Sequence, residues 1–225
     1  MGQLFIENLW TNPGYYFSWV LVVTFSICVH EFCHAWVARW QGDPTAAMTG
    51  FMSLDPRRVM GQTSLIALAL FGIAWGAVPV DPRHFRRRWS AALVSLSGPA
   101  ANFVLAVLFA CLYHVVMLFI GRHLAPGAHE GLWLYLEIGV RANALLAAFN
   151  MLPIPMLDGW EVFALFVPPM NRLTTQQKGT YSLVAIVLLW FTPLSRVLYV
   201  LTDYVALFAH LPALVVVHLV RVVGS

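Results

Sequence analysis

Residues 30–34 read HEFCH, inside the apolar run FSWVLVVTFSICVHEFCHAWVARW. Two histidines and a glutamate are among the costliest groups to place in hydrocarbon, and at membrane depth such groups mark functional cavities. His30 and His34 are four apart, so on a helix both imidazoles leave one face and can share a metal. Glu31 stands beside them, placed to act on a metal-bound water rather than to ligate. This is the logic of a zinc hydrolase. Three protein groups hold the zinc, the fourth position takes water, and the pKa of that water falls to roughly 7. A carboxylate then removes the proton as attack proceeds and hands it to the leaving amine.

Such a site needs a third ligand, and depth in the membrane ranks the carboxylates. His30 and His34 lie shortly before the end of their apolar run near residue 40, and Asp158 lies a similar distance before the end of its run near 168. At 1.5 Å per residue all three fall roughly 10–15 Å inside the same surface. Asp158 also follows the break NMLPIPMLDG, where Pro153 and Pro155 each remove a backbone donor and disfavour helix before them. Backbone freed in this way suits a water-filled cavity. Asp158 also has the place of an N-cap for a helix beginning at Gly159, a role compatible with ligation. Glu161, one turn later, is the rival ligand, and spacing leaves it open.

Two amides stand out in apolar surroundings: Asn102 in SGPAANF and Asn150 at the start of the proline break. Either can present a donor to an oxyanion or to substrate backbone, or serve as an ordinary interhelical hydrogen-bonding group. His114, His210 and His218 lack a carboxylate at ligand spacing and read as packing or interface residues. Arg86, Arg87 and Arg88 read as lipid-headgroup contacts and topology anchors.

The elements that carry these residues belong to a membrane protein. Of 225 residues, 60% are hydrophobic and 10% charged, with mean hydropathy +0.75; soluble domains carry about 25% charged residues. The net charge of +3 gives no reason to expect nucleic acid. Cys28, Cys33 and Cys111 all fall in apolar runs and suggest no disulfide framework. Apolar runs near 16–40, 64–80, 90–120, 132–167, 181–202 and 203–222 predict an all-α polytopic protein of five to six transmembrane helices in one membrane-embedded domain over 1–225. The last two runs can be two spans, or one span and a surface helix, because Pro193, Arg196 and Pro212 allow both. The proline break predicts a helix to about residue 150 and a further helical piece from about 158.

Charge placement decides how the short run 64–80 behaves. If it dips into the membrane and returns, Arg39, Arg57, Arg58, Arg83, Arg86, Arg87, Arg88, Arg172, Lys178 and Arg221 share one side, and Arg122 and Arg196 face the other. If it crosses, the asymmetry nearly vanishes. The positive-inside rule favours the first arrangement. The segment 64–80 is then re-entrant, the basic side is cytoplasmic, the amino terminus lies outside, and the His/Asp cluster sits nearer the cytoplasmic face.

HEFCH in the first long helix, GDPTA just after it, SGPAAN opening a later helix and NMLPIPMLDG further on occur in this order over residues 30–159. Together they resemble the site-2 protease family of intramembrane zinc metalloproteases. The resemblance implies that His30, His34 and Asp158 ligate one zinc per chain and that Glu31 is the catalytic glutamate, with Asn150 matching the asparagine ahead of the LDG motif. It implies a three-helix catalytic core over 16–40, 90–120 and 132–167, within a catalytic region of about 16–167. It also implies regulated intramembrane proteolysis, with the lipid bilayer and the transmembrane helix of a protein substrate as partners, in a prokaryotic cell membrane. No PDZ-like insertion is present, as in a compact member of the family. LDPRRVMGQTS departs from the LNP-type sequence, followed by histidine and aspartate, of many compact relatives.

The competing class is a membrane transporter or metal carrier that uses the same His/Asp cluster as a transit site. It calls for further ionisable residues stepping across the membrane, whereas the sequence clusters them at one depth. A different membrane metalloprotease, with Glu161 as the essential ligand, is the other enzyme reading.

Overall fold

A computed structural model describes residues 4–119 and 125–223. Asn12 opens the first long helix, α1 (Pro13–Gln41): its side chain accepts from the Tyr15 amide, and Pro13 occupies the first turn, where no N–H is needed. Gly42, at φ +111°, ends it. The other main helices are α2 (Gly61–Phe71), α3 (Ser90–Phe119), α4 (Pro126–Asn150), α5 (Asp158–Ala164), α6 (Thr175–Phe191) and α7 (Ser195–Val223). Among the described residues, α1, α3, α4 and α7 are long and apolar enough to cross a membrane.

Pairwise contacts fix how these four run. Gly14 lies against Leu134, while Cys28 and Ile27 share a cluster with Ile138 and Ala142, so α4 runs parallel to α1. Ser90 bonds Gln41, and Asn102 reaches the Ser26 carbonyl, so α3 runs antiparallel to both. On α7, Leu198 clusters with Ala148, Asp203 lies 3.8 Å from Arg141, and His210 lies 3.2 Å from His114. The fourth span therefore runs antiparallel to α4 and alongside α3. With no hydrophobic drive between helices in lipid, close packing depends on small side chains. Ala35, Ala38, Ala106, Ala110, Ala142 and Ala144 supply it, each no more than 2% exposed. Gly139 is the tightest point of the α3–α4 seam: a Cβ there would stand 2.2 Å from the Phe109 ring.

Residues 61–81 form a hairpin against α1. The helical arm, α2, leads to Gly72 (φ +72°), whose carbonyl accepts from Trp19 Nε1, while the Ala69 carbonyl accepts from the Tyr16 hydroxyl. The chain then returns extended. Trp75 exchanges two hydrogen bonds with Ser64 Oγ, the Ala77 amide bonds the Val59 carbonyl, and Gly76 packs on Ile27 and Glu31. Both arms thus lie beside one stretch of α1, Tyr16 to Glu31.

The helix–break–helix expected around 150–158 is present, as Asn150 at the end of α4 and Asp158 at the start of α5. The last two apolar runs divide differently. Pro193 ends α6 at Phe191, whereas residue 203 lies inside a single helix, where Asp203 stands 3.8 Å from Arg141. Because α7 runs away from the Ala148 end, Arg196 joins the end of the bundle that carries Arg39 and Arg83, and Arg221 goes to the other. This reverses the two positions given by charge counting. Arg122 lies outside the described residues.

Candidate metal centre

His30 and His34 project from one face of α1 and are buried. Each ring is fixed by its Nδ1. His34 Nδ1 lies 2.7 Å from the Val94 carbonyl, an acceptor only, so that nitrogen carries the proton. His30 Nδ1 lies 2.6 Å from Asn102 Oδ1, and the amide is oriented by its other end, which donates to Asn143 Oδ1 at 3.0 Å. Asn143 donates in turn to the Gly139 carbonyl at 2.9 Å. With both Nδ1 atoms protonated, both Nε2 atoms present bare lone pairs.

These lone pairs converge. The two Nε2 atoms lie 3.0 Å apart, with Asp158 Oδ2 3.1 Å from His30 and Asp158 Oδ1 3.2 Å from His34. Asp158 Oδ2 is buried without a hydrogen-bond donor. Three acceptors in mutual contact with no proton to share repel one another unless a cation lies among them. Two neutral imidazoles and one carboxylate are a zinc donor set, and they form the metal-competent group among the described residues. Gly98 on α3 keeps the space open: a Cβ there would stand 2.5 Å from both Nε2 atoms.

The break after α4 delivers Asp158. Met156 adopts φ +71°, uncommon for a side chain of its size, and turns the chain into α5. Gly159 is needed because a Cβ would meet the Met151 and Leu152 carbonyls at 2.4 and 2.5 Å. Leu157 holds the N-cap position without a side-chain bond, so the Asp158 carboxylate is not spent on capping. Glu161 lines the same cavity but stands outside the metal-competent group, with its Oε1 accepting from Lys178 Nζ at 3.4 Å.

A cavity of about 460 Å³ opens over these atoms. Glu31, Asn150, Asp158 and the extended arm Gly76–Val80 line it, and Glu31 Oε1 packs within 2.9 Å of where a Gly76 Cβ would be. The two candidate amides separate here. Asn150 faces the cavity, whereas Asn102 is fully buried behind His30 and its amide is engaged by His30, Asn143 and Ser26.

Residues 18–125 match the description of peptidase family M50. YwhC of Bacillus subtilis, a protein named as a zinc metalloprotease, is 34% identical over 177 residues, covering 78% of this chain and 80% of its own. The chain belongs to peptidase family M50. Rip2 proteins of Mycobacterium tuberculosis and Mycolicibacterium smegmatis, also named as zinc metalloproteases, are each 29% identical over 174 residues. The chain spans 64% of their length. No solved structure matches it. As an M50 peptidase of the site-2 protease type, this integral membrane protein is a metalloprotease, and its His30, His34 and Asp158 group fits a single zinc.

Sequence reasoning missed two residues of this M50 site. Asn143 stands seven residues, two helical turns, before Asn150, and a second buried amide on that face was the available signal. Gly98 lies four residues before Asn102, on the same face of α3, and its smallness was the signal. Asn143→Leu removes the shorter of the two bonds donated by the Asn102 amide, leaving it the 3.4 Å bond to the Ser26 carbonyl and a looser hold on its orientation. Zinc affinity, measured by competition with a chelator of known strength, is expected to fall about 10–100-fold, as for other groups that orient a metal-binding histidine.

Proposed function

We propose that this chain is an intramembrane zinc endopeptidase that hydrolyses peptide bonds in or near transmembrane segments of membrane-anchored proteins, in regulated intramembrane proteolysis. The observation that carries the proposal is the position of the donor set. It opens on a cavity between membrane-spanning helices and is bordered by an extended backbone arm.

In this reading His30, His34 and Asp158 hold the metal, which when bound polarises the scissile carbonyl and lowers the pKa of a coordinated water to roughly 7. The Glu31 carboxylate accepts the proton of the attacking water and gives it to the nitrogen of the leaving amine as the peptide bond breaks. Asn150, on the cavity wall, holds substrate backbone or the carbonyl oxygen as it gains charge. A peptide bond in a helix is shielded by its own hydrogen bonds, so the substrate unwinds locally. The arm Gly76–Val80 offers it an edge to pair with in β fashion. The hairpin 61–81 dips into the bilayer and returns, with the active site nearer the cytoplasmic face of a prokaryotic cell membrane.

A transit site for ions would need a chain of ionisable groups leading away from the metal. Among the described residues, the ionisable groups further along the bundle are His114 with His210 and Glu137 with Arg141 and Asp203. These groups pair with one another and not with the zinc ligands.

The test is reconstitution in liposomes with a panel of single-span helices, wild type beside Glu31→Gln. Cleavage within a span by wild type alone is the expected result. Cleavage confined to soluble tails, or equal in both proteins, overturns the reading.

A further inference from the structure

The extended arm beside the zinc ligands is fastened at its far end by a carboxylate that the chemistry above does not use. Asp43, in the GDPTA stretch after α1, is 0% exposed. Its Oδ1 accepts from the Thr45 amide at 2.9 Å and the Thr45 hydroxyl at 2.5 Å. Its Oδ2 accepts from the Asp81 amide at 2.7 Å, and His84 Nδ1 stands 3.4 Å from Oδ1. Asp81 is the residue after Val80, which lines the zinc cavity. The anchor is therefore one peptide unit from the cavity wall.

Neighbouring contacts strengthen the same join. The Arg86 amide bonds the Gln41 carbonyl, and Ser90 Oγ bonds Gln41 Oε1. Gly42 lets the two segments meet, since a Cβ there would stand 2.8 Å from the His84 carbonyl oxygen and its φ is +111°. Burial pushes the Asp43 carboxyl up, but donors from Thr45 and Asp81, with His84 beside it, hold it below the ordinary carboxylate range. The Asp81 side chain turns away to Arg83, which holds its carboxyl at about 2. A depressed carboxylate stabilises the fold above its ordinary pKa of about 3.9 and loses that contribution as pH falls through its folded value. The join is therefore intact across the neutral and mildly acidic range.

The nearer end of the arm is held by Ser64 on Trp75 and by Val59 on Ala77. Between these anchors and Asp43, residues 78–80 have one backbone donor fewer than usual, because Pro79 has no N–H. The Val78 amide bonds the Glu31 carboxylate, and beyond that contact the course of the arm is set by its two ends.

We propose that Asp43 is a positioning residue. By fixing the Asp81 amide it sets the line of Gly76–Val80 past Glu31 and the zinc ligands, and so the edge offered to substrate. The consequence for catalysis rests on the peptidase reading, but the positional claim does not.

The experiment is hydrogen–deuterium exchange on the full chain, zinc-loaded in detergent, with metal content measured on the same samples. Asp43→Ala is expected to raise amide exchange over 74–81 about tenfold or more, with the core of α3 and the zinc content unchanged. Asp43→Asn keeps an oxygen for Thr45 but turns a donor toward the Asp81 amide, and falls between. Thr45→Val, which leaves Asp43 in place with one donor fewer, gives a smaller rise and guards against failure of the alanine variant to fold. With β-casein as an unfolded probe, kcat/KM is expected to drop about tenfold, mostly through KM, because what is lost is a binding edge. Unchanged exchange over 74–81 in zinc-loaded Asp43→Ala overturns the proposal. So does loss of zinc in step with the rise in exchange across all three variants, which would make Asp43 a support of the whole site. If exchange rises as expected while wild type cuts nothing, the positional claim stands and the peptidase reading fails.

Discussion

Glu31→Gln is expected to keep one zinc per chain and to lose about 10²–10⁴-fold in hydrolytic rate, the span that a positioned proton-transfer group contributes. The Glu31 carboxylate lies outside the group that fits the metal, which is formed by His30, His34 and Asp158. Glutamine keeps the volume that packs against Gly76 but cannot accept a proton. Metal content by mass spectrometry and turnover of any cleaved helix on the same preparation check both halves. Zinc lost with the carboxylate would make Glu31 a ligand. Full activity without it would assign the proton transfer to another group.

Gly98→Ala is expected to empty the metal site as thoroughly as Asp158→Ala does, although glycine has no ligating atom. Its Cβ would stand 2.5 Å from His30 Nε2 and His34 Nε2, inside the space a cation must occupy. Relief by helix shift is blocked, because Val94 and Asn102 on the same helix hold the two Nδ1 atoms. Zinc per chain should fall below about a tenth of wild type, with helical content by circular dichroism kept, since alanine favours helix by about 1 kcal/mol over glycine. Retention of zinc near one per chain would show that the rings can retreat and that the cradle is looser than its geometry.

The parts of this molecule legible in its sequence are those that follow from local spacing. His30 and His34 share a face by helical period, Pro153 and Pro155 break the long run, and equal depth brings Asp158 to the histidines. The direction of α7 was not legible, because exchanging Arg196 for Arg221 leaves the tally of basic residues on the two sides unaltered. Nor did the sequence show where 181–222 divides: Pro193 ends α6, whereas Pro212 lies inside α7 and does not end it. Asn102 offered an amide in apolar surroundings, and nothing local says whether such an amide faces a cavity or the back of a ring. Its partner Asn143 decides that, forty-one residues away.

The Phe109 ring seated on Gly139 bears on motion. A ring occupying the place of a Cβ leaves the helices on either side no freedom to slide or swing apart without emptying that seat. The same two helices carry Asn102 and Asn143, so the seam and the orientation of His30 are one rigid body. A change in the width of the cavity must therefore come from elsewhere in its lining. The hairpin 61–81 lines the cavity from the other side, held to α1 by apolar packing of Leu65, Leu68 and Ala74 and by hydrogen bonds. The cavity over the metal-competent group thus has a rigid wall behind His30, carried by α3 and α4, and the arm Gly76–Val80 as its other wall.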